Sequence, residues 1–279
     1  MGKTEALRSA VRLTADALLA VTLAPRCAAC DRVLDVPSAG PVCAECWAAV
    51  HAPSPPLCRT CGDSLPSWRI ASIRLAQCAR CRRGPTFVDA GCCAGDYDGA
   101  LRHIIHAFKY EGRRSLVERL GRMMREAGAD LLADASCVVP VPLHPWRRMR
   151  RGFNQATDLA KQLDLPLVHA LWRTRATIVQ AGLTAAARRR NVRRAFRMSP
   201  LLRTSTRRDF IQGRTVVLVD DVRTTGATLN ACAEVLKQAG AREVRALTAA
   251  GRGYTHVEIT GTDTQTTEAL SSTPKRRDL

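Results

Sequence analysis

The sequence predicts an α/β domain that follows a small, cysteine-rich metal-binding module. Residues 215–229 read TVVLVDDVRTTGATL, which is a short apolar strand, a polar loop and the start of a helix. Residues 137–141, CVVPV, supply a second apolar strand. Uninterrupted apolar runs of this length are typical of strands buried on both faces of a parallel sheet. Four CxxC pairs precede both strands and define the metal module.

Composition limits the domain count and indicates the kind of partner. The 279 residues are enough for one large domain or two, and 46% of them are hydrophobic. The net charge is +18, and residues 101–214 hold 24 Lys and Arg against 8 Asp and Glu. This excess favours a polyanion such as pyrophosphate, nucleic acid or a membrane surface. The competing interpretation is an arginine-rich surface without a specific partner.

The N-terminal segment, residues 1–24, is predicted to be an amphipathic helix that packs on the protein. The chain has no stretch of about 18 uncharged apolar residues, so we expect no transmembrane helix. The longest apolar run, residues 15–24, contains Asp16 and leads directly into a cysteine motif, which disfavours a cleaved signal peptide. We therefore expect a cytoplasmic protein, with peripheral membrane contact by this helix as the alternative.

The metal module, residues 25–88, is built on paired cysteines. A CxxC turn directs two sulfurs at one centre, and two such turns give the four thiolates that a tetrahedral zinc ion prefers. Twelve residues separate the first two pairs and sixteen the second two. We predict one or two structural zinc ions, because a closed four-thiolate site has no open position for catalysis. The predicted ligands are Cys27, Cys30, Cys43, Cys46, Cys58, Cys61, Cys78 and Cys81.

The grouping of these pairs is left open by the spacing, since sequential and interleaved pairing both fit it. Disulfides are the competing interpretation, and the lack of a secretory signal disfavours them. The module has few large apolar residues, so its folding is expected to depend on the metal. The other four cysteines are predicted to be small buried hydrophobic residues: Cys92, Cys93, Cys137 and Cys232.

The α/β domain is predicted to cover residues 89–250. Apolar residues three and four apart predict one helix over residues 100–108 and another over 116–124. The basic segment over residues 173–196 is predicted to be a lid, because long segments between strands of such domains often cover a site. The polar, Thr-rich tail, residues 251–279, is predicted to be disordered.

The loop after the strand at residues 216–219 is a candidate site for a sugar phosphate. Small residues let backbone N–H groups approach an anion, and the helix that begins near Ala227 adds the positive end of its dipole. Asp220 and Asp221 repel phosphate, so they suit a ribose diol or a metal ion beside it. The competing interpretation is an acid pair that caps a helix. The loop residues are Thr224, Thr225, Gly226, Ala227 and Thr228.

A basic cluster follows the strand at residues 137–141. That strand ends in the turn Pro-Leu-His-Pro, and residues 147–151 then contain four arginines. A planar guanidinium matches paired phosphate oxygens, so this combination predicts a pyrophosphate site. A solvated run of charge is the competing interpretation.

Residues 215–229 resemble the 5-phosphoribosyl-1-pyrophosphate (PRPP) motif of type I phosphoribosyltransferases. Upstream, the four CxxC pairs are followed in order by LRHIIHAFKYEGR, VVPVPLHPWRRMRRGFNQA and RRRNVRRAF. This order is similar to that of the ComF/GntX family over residues 20–250. The resemblance implies a type I phosphoribosyltransferase fold, with a parallel sheet flanked by helices, behind an N-terminal four-cysteine zinc-finger module.

The resemblance also implies roles for individual residues. Asp220 and Asp221 would hold the ribose hydroxyls of PRPP, which would bind with Mg²⁺, and the loop at residues 224–228 would hold its 5′-phosphate. The implied activity is phosphoribosyl transfer to an unidentified acceptor. Relatives needed for DNA uptake imply single-stranded DNA and the uptake machinery as partners. The implied pyrophosphate and lid residues are Leu143, Arg148, Arg151, Gln180, Arg190 and Asn191.

One loop residue departs from the family pattern. Purine-using phosphoribosyltransferases carry a third Asp where this chain has Thr224, so the resemblance argues against a purine salvage enzyme and leaves the general base unassigned. Two other interpretations stay open. A single-stranded nucleic-acid-binding protein on this scaffold is favoured by the basic segments, whereas a purely structural zinc adaptor leaves the acid pair unexplained.

Overall fold

The structure is a computed structural model that describes residues 3–65, 76–82, 84–144, 146, 149, 152–174, 195–200 and 209–252. The strands with described bounds are β1 (Ala90–Cys93), β2 (Cys137–Pro140), β3 (Leu171–Arg173), β4 (Phe196–Met198), β5 (Thr215–Arg223) and β6 (Glu243–Gly251). The helices with described bounds are α1 (Lys3–Leu23), α2 (Ala44–Ala48), α3 (Ala79–Arg82), α4 (Gly99–Tyr110), α5 (Leu116–Ala127), α6 (Ala129–Leu132), α7 (Gln155–Ala160) and α8 (Ala227–Gln238).

Four parallel strands form the central sheet in the order β1-β6-β5-β2. β5 pairs with β6 along nearly its whole length and with β2 over residues 216–219. A parallel bridge between Val138 and Leu167 continues the sheet beyond β2. The carboxyl ends of all these strands therefore lie at one edge, which is where open α/β sheets bind ligands.

β5 is buried on both of its faces, because Val216, Val217, Leu218 and Val219 have no exposed surface. Successive side chains of a strand point to opposite faces. Val217 and Val219 pack with residues of α4, α5 and α7, whereas Val216 and Leu218 pack with residues of α8. Helices thus cover both faces of a parallel sheet, and the predicted α/β fold class is confirmed.

The helices that flank the sheet begin and end close to the positions that the sequence predicts. α4 and α5 match the two helices expected before β2, and α8 begins at Ala227. β5 is longer than its apolar run and continues to Arg223. The acid pair therefore lies within the last residues of the strand rather than after it.

The N-terminal segment forms the predicted helix α1 and contacts the protein, but its contact differs from the expected amphipathic packing. The Asp16 carboxylate accepts hydrogen bonds from the Ser38 N–H at 2.7 Å and from the Ser38 hydroxyl at 2.8 Å. The apolar side chains beside it are exposed, with 62% exposure at Leu18 and 85% at Val21. Among the side chains of α1 that the structure describes, a polar contact and not an apolar face joins the helix to its neighbour. No helix within the described residues is long and apolar enough to cross a membrane.

Two predicted segments fall largely outside the described residues. β3 and β4 form an antiparallel pair, in which Arg173 lies opposite Phe196. The two ends of the predicted lid are therefore held side by side, while residues 175–194 are not described. The predicted disordered tail is described only as far as Arg252.

Candidate functional site

A cavity of about 900 Å³ opens at the carboxyl edge of the sheet. β5, the loop before α8, the end of α4 and the turn after β2 all contribute to its lining. Leu143, predicted for the pyrophosphate turn, is among the lining residues. The residues from Asp220 to Leu229 all line the cavity, so the structure brings the acid pair and the whole predicted loop to one space.

The acid pair is held by a lysine from another helix. Nζ of Lys109, near the end of α4, lies 2.9 Å from Oδ1 of Asp221. The backbone N–H of Asp221 donates to the Asp220 carboxylate at 2.9 Å. Burial alone lowers the pKa of Lys109, but the two carboxylates outweigh it and raise the pKa above its usual value. Lys109 therefore stays protonated and partly neutralises the pair.

The two carboxylates differ in electrostatic environment. Burial, followed by repulsion from Asp221, raises the pKa of Asp220 to about 7, although Lys109 opposes this shift. Two adjacent carboxyl groups that resist simultaneous ionisation in a partly desolvated cavity favour a cation or hydroxyl donors opposite them. The pair is thus suited to a sugar diol or a positively charged centre, and not to phosphate.

The loop between β5 and α8 has the geometry of an anion site. Gly226 precedes the first turn of α8 with φ +74°, a left-handed conformation that glycine adopts without steric cost. The Thr225 hydroxyl accepts from the N–H of Ala227 at 3.4 Å, which turns the chain into the helix. The first residues of α8 line the cavity, so the unpaired N–H groups and the positive end of the dipole of this 12-residue helix lie at the cavity.

Two charged residues that line the cavity, Lys109 and Arg173, have no role in the sequence prediction. Lys109 lies next to the buried Phe108 near the end of α4, so the helix directs it toward the interior. Arg173 on β3 is buried, lines the cavity and lies 5.3 Å from the ring centroid of Phe196. Its charge also lowers the pKa of Asp220. The antiparallel pairing of β3 and β4 places it there, and no local pattern predicts that pairing.

Other predicted site residues cannot be located in the same way. The following residues lie outside the described part of the chain: Arg148, Arg151, Gln180, Arg190 and Asn191. Their predicted contacts with pyrophosphate and their place in a lid remain predictions.

The eight CxxC cysteines form two separate clusters, one of Cys27, Cys30, Cys43 and Cys46 and the other of Cys58, Cys61, Cys78 and Cys81. Within each cluster the sulfurs lie within 4.8 Å of one another. This arrangement is the sequential pairing, and it excludes the interleaved one.

Backbone N–H groups donate hydrogen bonds to sulfurs in both clusters. The Cys27 sulfur accepts from the N–H groups of Ala29 and Cys43, each at 3.4 Å. The Cys58 sulfur accepts from the N–H of Cys78 at 3.2 Å. Such donors stabilise thiolates, and four convergent thiolates are the donor set of a closed zinc site. Each cluster therefore fits a structural zinc ion.

The four remaining cysteines have no part in these clusters. Cys93, Cys137 and Cys232 are buried and Cys92 is partly buried. Burial raises the pKa of Cys92 to about 11 and that of Cys137 to about 12, which disfavours their thiolate forms at neutral pH. The nearby His51 is exposed and lies outside both clusters.

Comparison with known proteins agrees with this architecture. Residues 18–82 match the double zinc ribbon domain, and residues 149–274 match the phosphoribosyl transferase domain. Competence protein F of Haemophilus influenzae is 31% identical over 79% of this chain and 94% of its own length. DNA utilization protein YhgH of Escherichia coli is 34% identical over 73% of this chain and 87% of its own. Competence protein ComFC of Bacillus subtilis is 28% identical over 52% and 56%.

The fold and the clusters thus define a type I phosphoribosyltransferase domain behind a double zinc ribbon. The match to competence protein F covers most of both chains at 31% identity, and it assigns the chain to a particular family of such proteins. It belongs to the ComF/GntX family, as the order of its motifs predicts.

Loss of one metal ligand tests the cluster assignment. Wild-type protein, purified under reducing conditions, is expected to contain two zinc ions, one for each cluster. Cys58→Ala is expected to reduce this to one, because three thiolates bind zinc far more weakly than four. Cys92→Ala, which lies outside the clusters, is the control and should keep two. Elemental analysis checks this, and a folded, reduced, metal-free wild-type protein would contradict it.

Proposed function

We propose that this protein binds PRPP in the cavity at the carboxyl edge of the sheet and transfers its phosphoribosyl group to an acceptor. One observation carries the proposal: a glycine-turned helix N-terminus and a paired carboxylate site lie side by side in the same cavity. The helix N-terminus matches the 5′-phosphate of a ribose 5-phosphate, and the carboxylates match its ring hydroxyls. Both features belong to one continuous segment, residues 220–228.

The 5′-phosphate would lie at the N-terminus of α8, where backbone N–H groups and the hydroxyls of Thr224, Thr225 and Thr228 can donate to it. The ribose hydroxyls would donate to Asp220 and Asp221. Mg²⁺ would be held chiefly by oxygens of PRPP itself and would neutralise charge on the pyrophosphate. Lys109 would keep Asp221 in place through the 2.9 Å ion pair.

The pyrophosphate would extend toward the turn after β2. Leu143 lines the cavity and would offer backbone groups there, and Arg148 and Arg151 would add guanidinium groups. Gln180, Arg190 and Asn191 would close over the ligand as parts of a lid, excluding water from the reacting carbon.

Transfer would break the bond between the anomeric carbon and a pyrophosphate oxygen, and the electron pair would leave with pyrophosphate. The acceptor would form the new bond to carbon with its own electron pair and lose a proton. Positive charge that develops at the anomeric carbon would be stabilised by the carboxylates of Asp220 and Asp221. Thr224 cannot act as the acid–base residue that an Asp supplies there in purine-using enzymes, so the acceptor is proposed to differ from a purine base.

The double substitution Asp220→Asn with Asp221→Asn tests the ribose contacts. We expect the affinity for PRPP with Mg²⁺ to fall by about 100-fold or more, because two hydrogen bonds to charged acceptors are weakened. Titration calorimetry on the full chain measures this. Asp209→Asn, an exposed acid just before β5, is the matched control. Unchanged affinity in the double variant would exclude the proposed site.

A second candidate function is binding of single-stranded DNA, and the printed names of the relatives favour it. Two exposed aromatic residues lie at the rim of the cavity: Tyr110 and Trp146 are 63% and 60% exposed. Exposed aromatic rings beside arginines are the usual stacking platform for unpaired bases.

Trp146→Ala tests this candidate. We expect affinity for a single-stranded oligonucleotide to fall about tenfold, since stacking one base on an aromatic ring contributes about 1–3 kcal/mol. Trp172→Ala, also exposed but not part of the cavity lining, is the control. Fluorescence anisotropy at several salt concentrations measures the affinity. If DNA binding is unaffected by Trp146→Ala, the rim of the cavity is not the DNA site.

A further inference from the structure

The second zinc ribbon, carried by Cys58, Cys61, Cys78 and Cys81, lies directly against the sheet. Its first turn contacts the edge strand β1: the N–H of Gly91 donates to the carbonyl of Arg59 at 3.2 Å. A Cβ added at Gly91 would lie 2.7 Å from the Thr60 carbonyl oxygen, so a larger residue does not fit there. Ribbon and sheet are therefore in backbone-to-backbone contact.

A buried carboxylate joins this ribbon to the end of β5. Asp63 follows the first CxxC turn of the ribbon and is 1% exposed. Nη2 of Arg223, the last residue of β5, bonds its Oδ1, and Nη1 lies 3.3 Å from its Oδ2. Arg80, which lies between Cys78 and Cys81, bonds the same carboxylate. One acid thus connects both halves of the metal cluster to the strand that carries the acid pair.

Arg80 also reaches the phosphate loop itself. Its Nη1 donates to the carbonyl oxygen of Thr224 at 2.8 Å. The first residue of the loop is thereby hydrogen-bonded to the ribbon.

A second contact holds the other end of the loop. The side-chain oxygen of Asn230, in the first turn of α8, accepts from the N–H of Phe87 at 2.6 Å. Its amide nitrogen donates to the carbonyl of Pro85 at 3.3 Å. Pro85 and Phe87 follow the last cysteine of the ribbon by four and six residues. The chain around the metal cluster therefore contacts the loop residue Thr224 and the helix turn after the loop.

We propose that Arg80 is a positioning residue for the phosphate loop, and that the second zinc ribbon acts as the rigid mount through which it does so. The inference rests on the proposed PRPP site, because it assigns the ribbon to the same loop. Arg80 lies within the CxxC turn between two cysteines of one cluster, so the position of its side chain depends on that cluster being assembled. The charge-assisted network at Asp63 fixes the guanidinium while it donates to Thr224.

The first ribbon offers no equivalent link. Its described ion pairs, Arg26 with Asp31 and Arg32 with Glu45, both lie within the ribbon and are exposed. Among the described contacts, the loop at residues 224–228 receives a side chain only from the second ribbon. The two ribbons are therefore assigned different roles, although their cysteine motifs are alike.

Arg80→Ala in the full chain is the direct test, with Arg82→Ala as its matched control, because Arg82 is an exposed arginine on the same short helix α3. Two quantities are measured: the affinity for PRPP with Mg²⁺, and the backbone ¹⁵N order parameters of residues 224–228 without ligand. Arg80→Ala is expected to weaken PRPP binding about tenfold and to lower the order parameters from about 0.85 toward 0.6. Arg80→Lys retains a donor and should restore part of both.

Unchanged order parameters and affinity in an Arg80→Ala protein that keeps its zinc would overturn the inference. If the wild-type protein fails to bind PRPP, the proposed function fails, but the order parameters still decide whether Arg80 positions the loop. If Arg80→Ala loses zinc, Arg80→Gln decides instead, because it retains a polar side chain beside the cluster but is too short to reach Thr224 in the same way. Rigid loop amides in a zinc-loaded Arg80→Gln protein would then count against the inference.

Discussion

The structure depends on the burial of β5. Its four apolar residues are covered on both faces, and its backbone is paired on both edges. A strand held in this way has one register, since a shift by one residue would exchange the side chains that face α8 with those that face α4 and α5. The acid pair and the loop at residues 224–228 continue directly from this strand, so their positions are fixed by its register.

Charge is then balanced around the end of that strand by residues from distant parts of the chain. Lys109 of α4 pairs with Asp221, and Arg173 of β3 lies close enough to influence Asp220. Arg223, the last residue of β5, is paired with Asp63 of the second zinc ribbon. A buried ion pair therefore joins the ribbon to the phosphoribosyltransferase domain. Removal of either partner would leave an uncompensated buried charge and destabilise the contact.

Much of this arrangement could be predicted from the sequence, since its signals are local. The apolar run of β5, the amphipathic spacing of α4 and α5, and the CxxC turns are each contained in a few consecutive residues. Lys109, Arg173 and Asp63 could not be assigned, because their roles arise from contacts between segments as far apart as 160 residues. The packing of α1 was predicted wrongly: its apolar residues suggested a buried face, but the helix is attached through Asp16 and Ser38.

The most direct measurement is a crystal structure of the protein with PRPP and Mg²⁺. The proposed function predicts the 5′-phosphate at the N–H groups of residues 224–228, and the ribose hydroxyls within hydrogen-bond distance of Asp220 and Asp221. A ligand bound elsewhere, with the acid pair still occupied only by Lys109, would contradict the account.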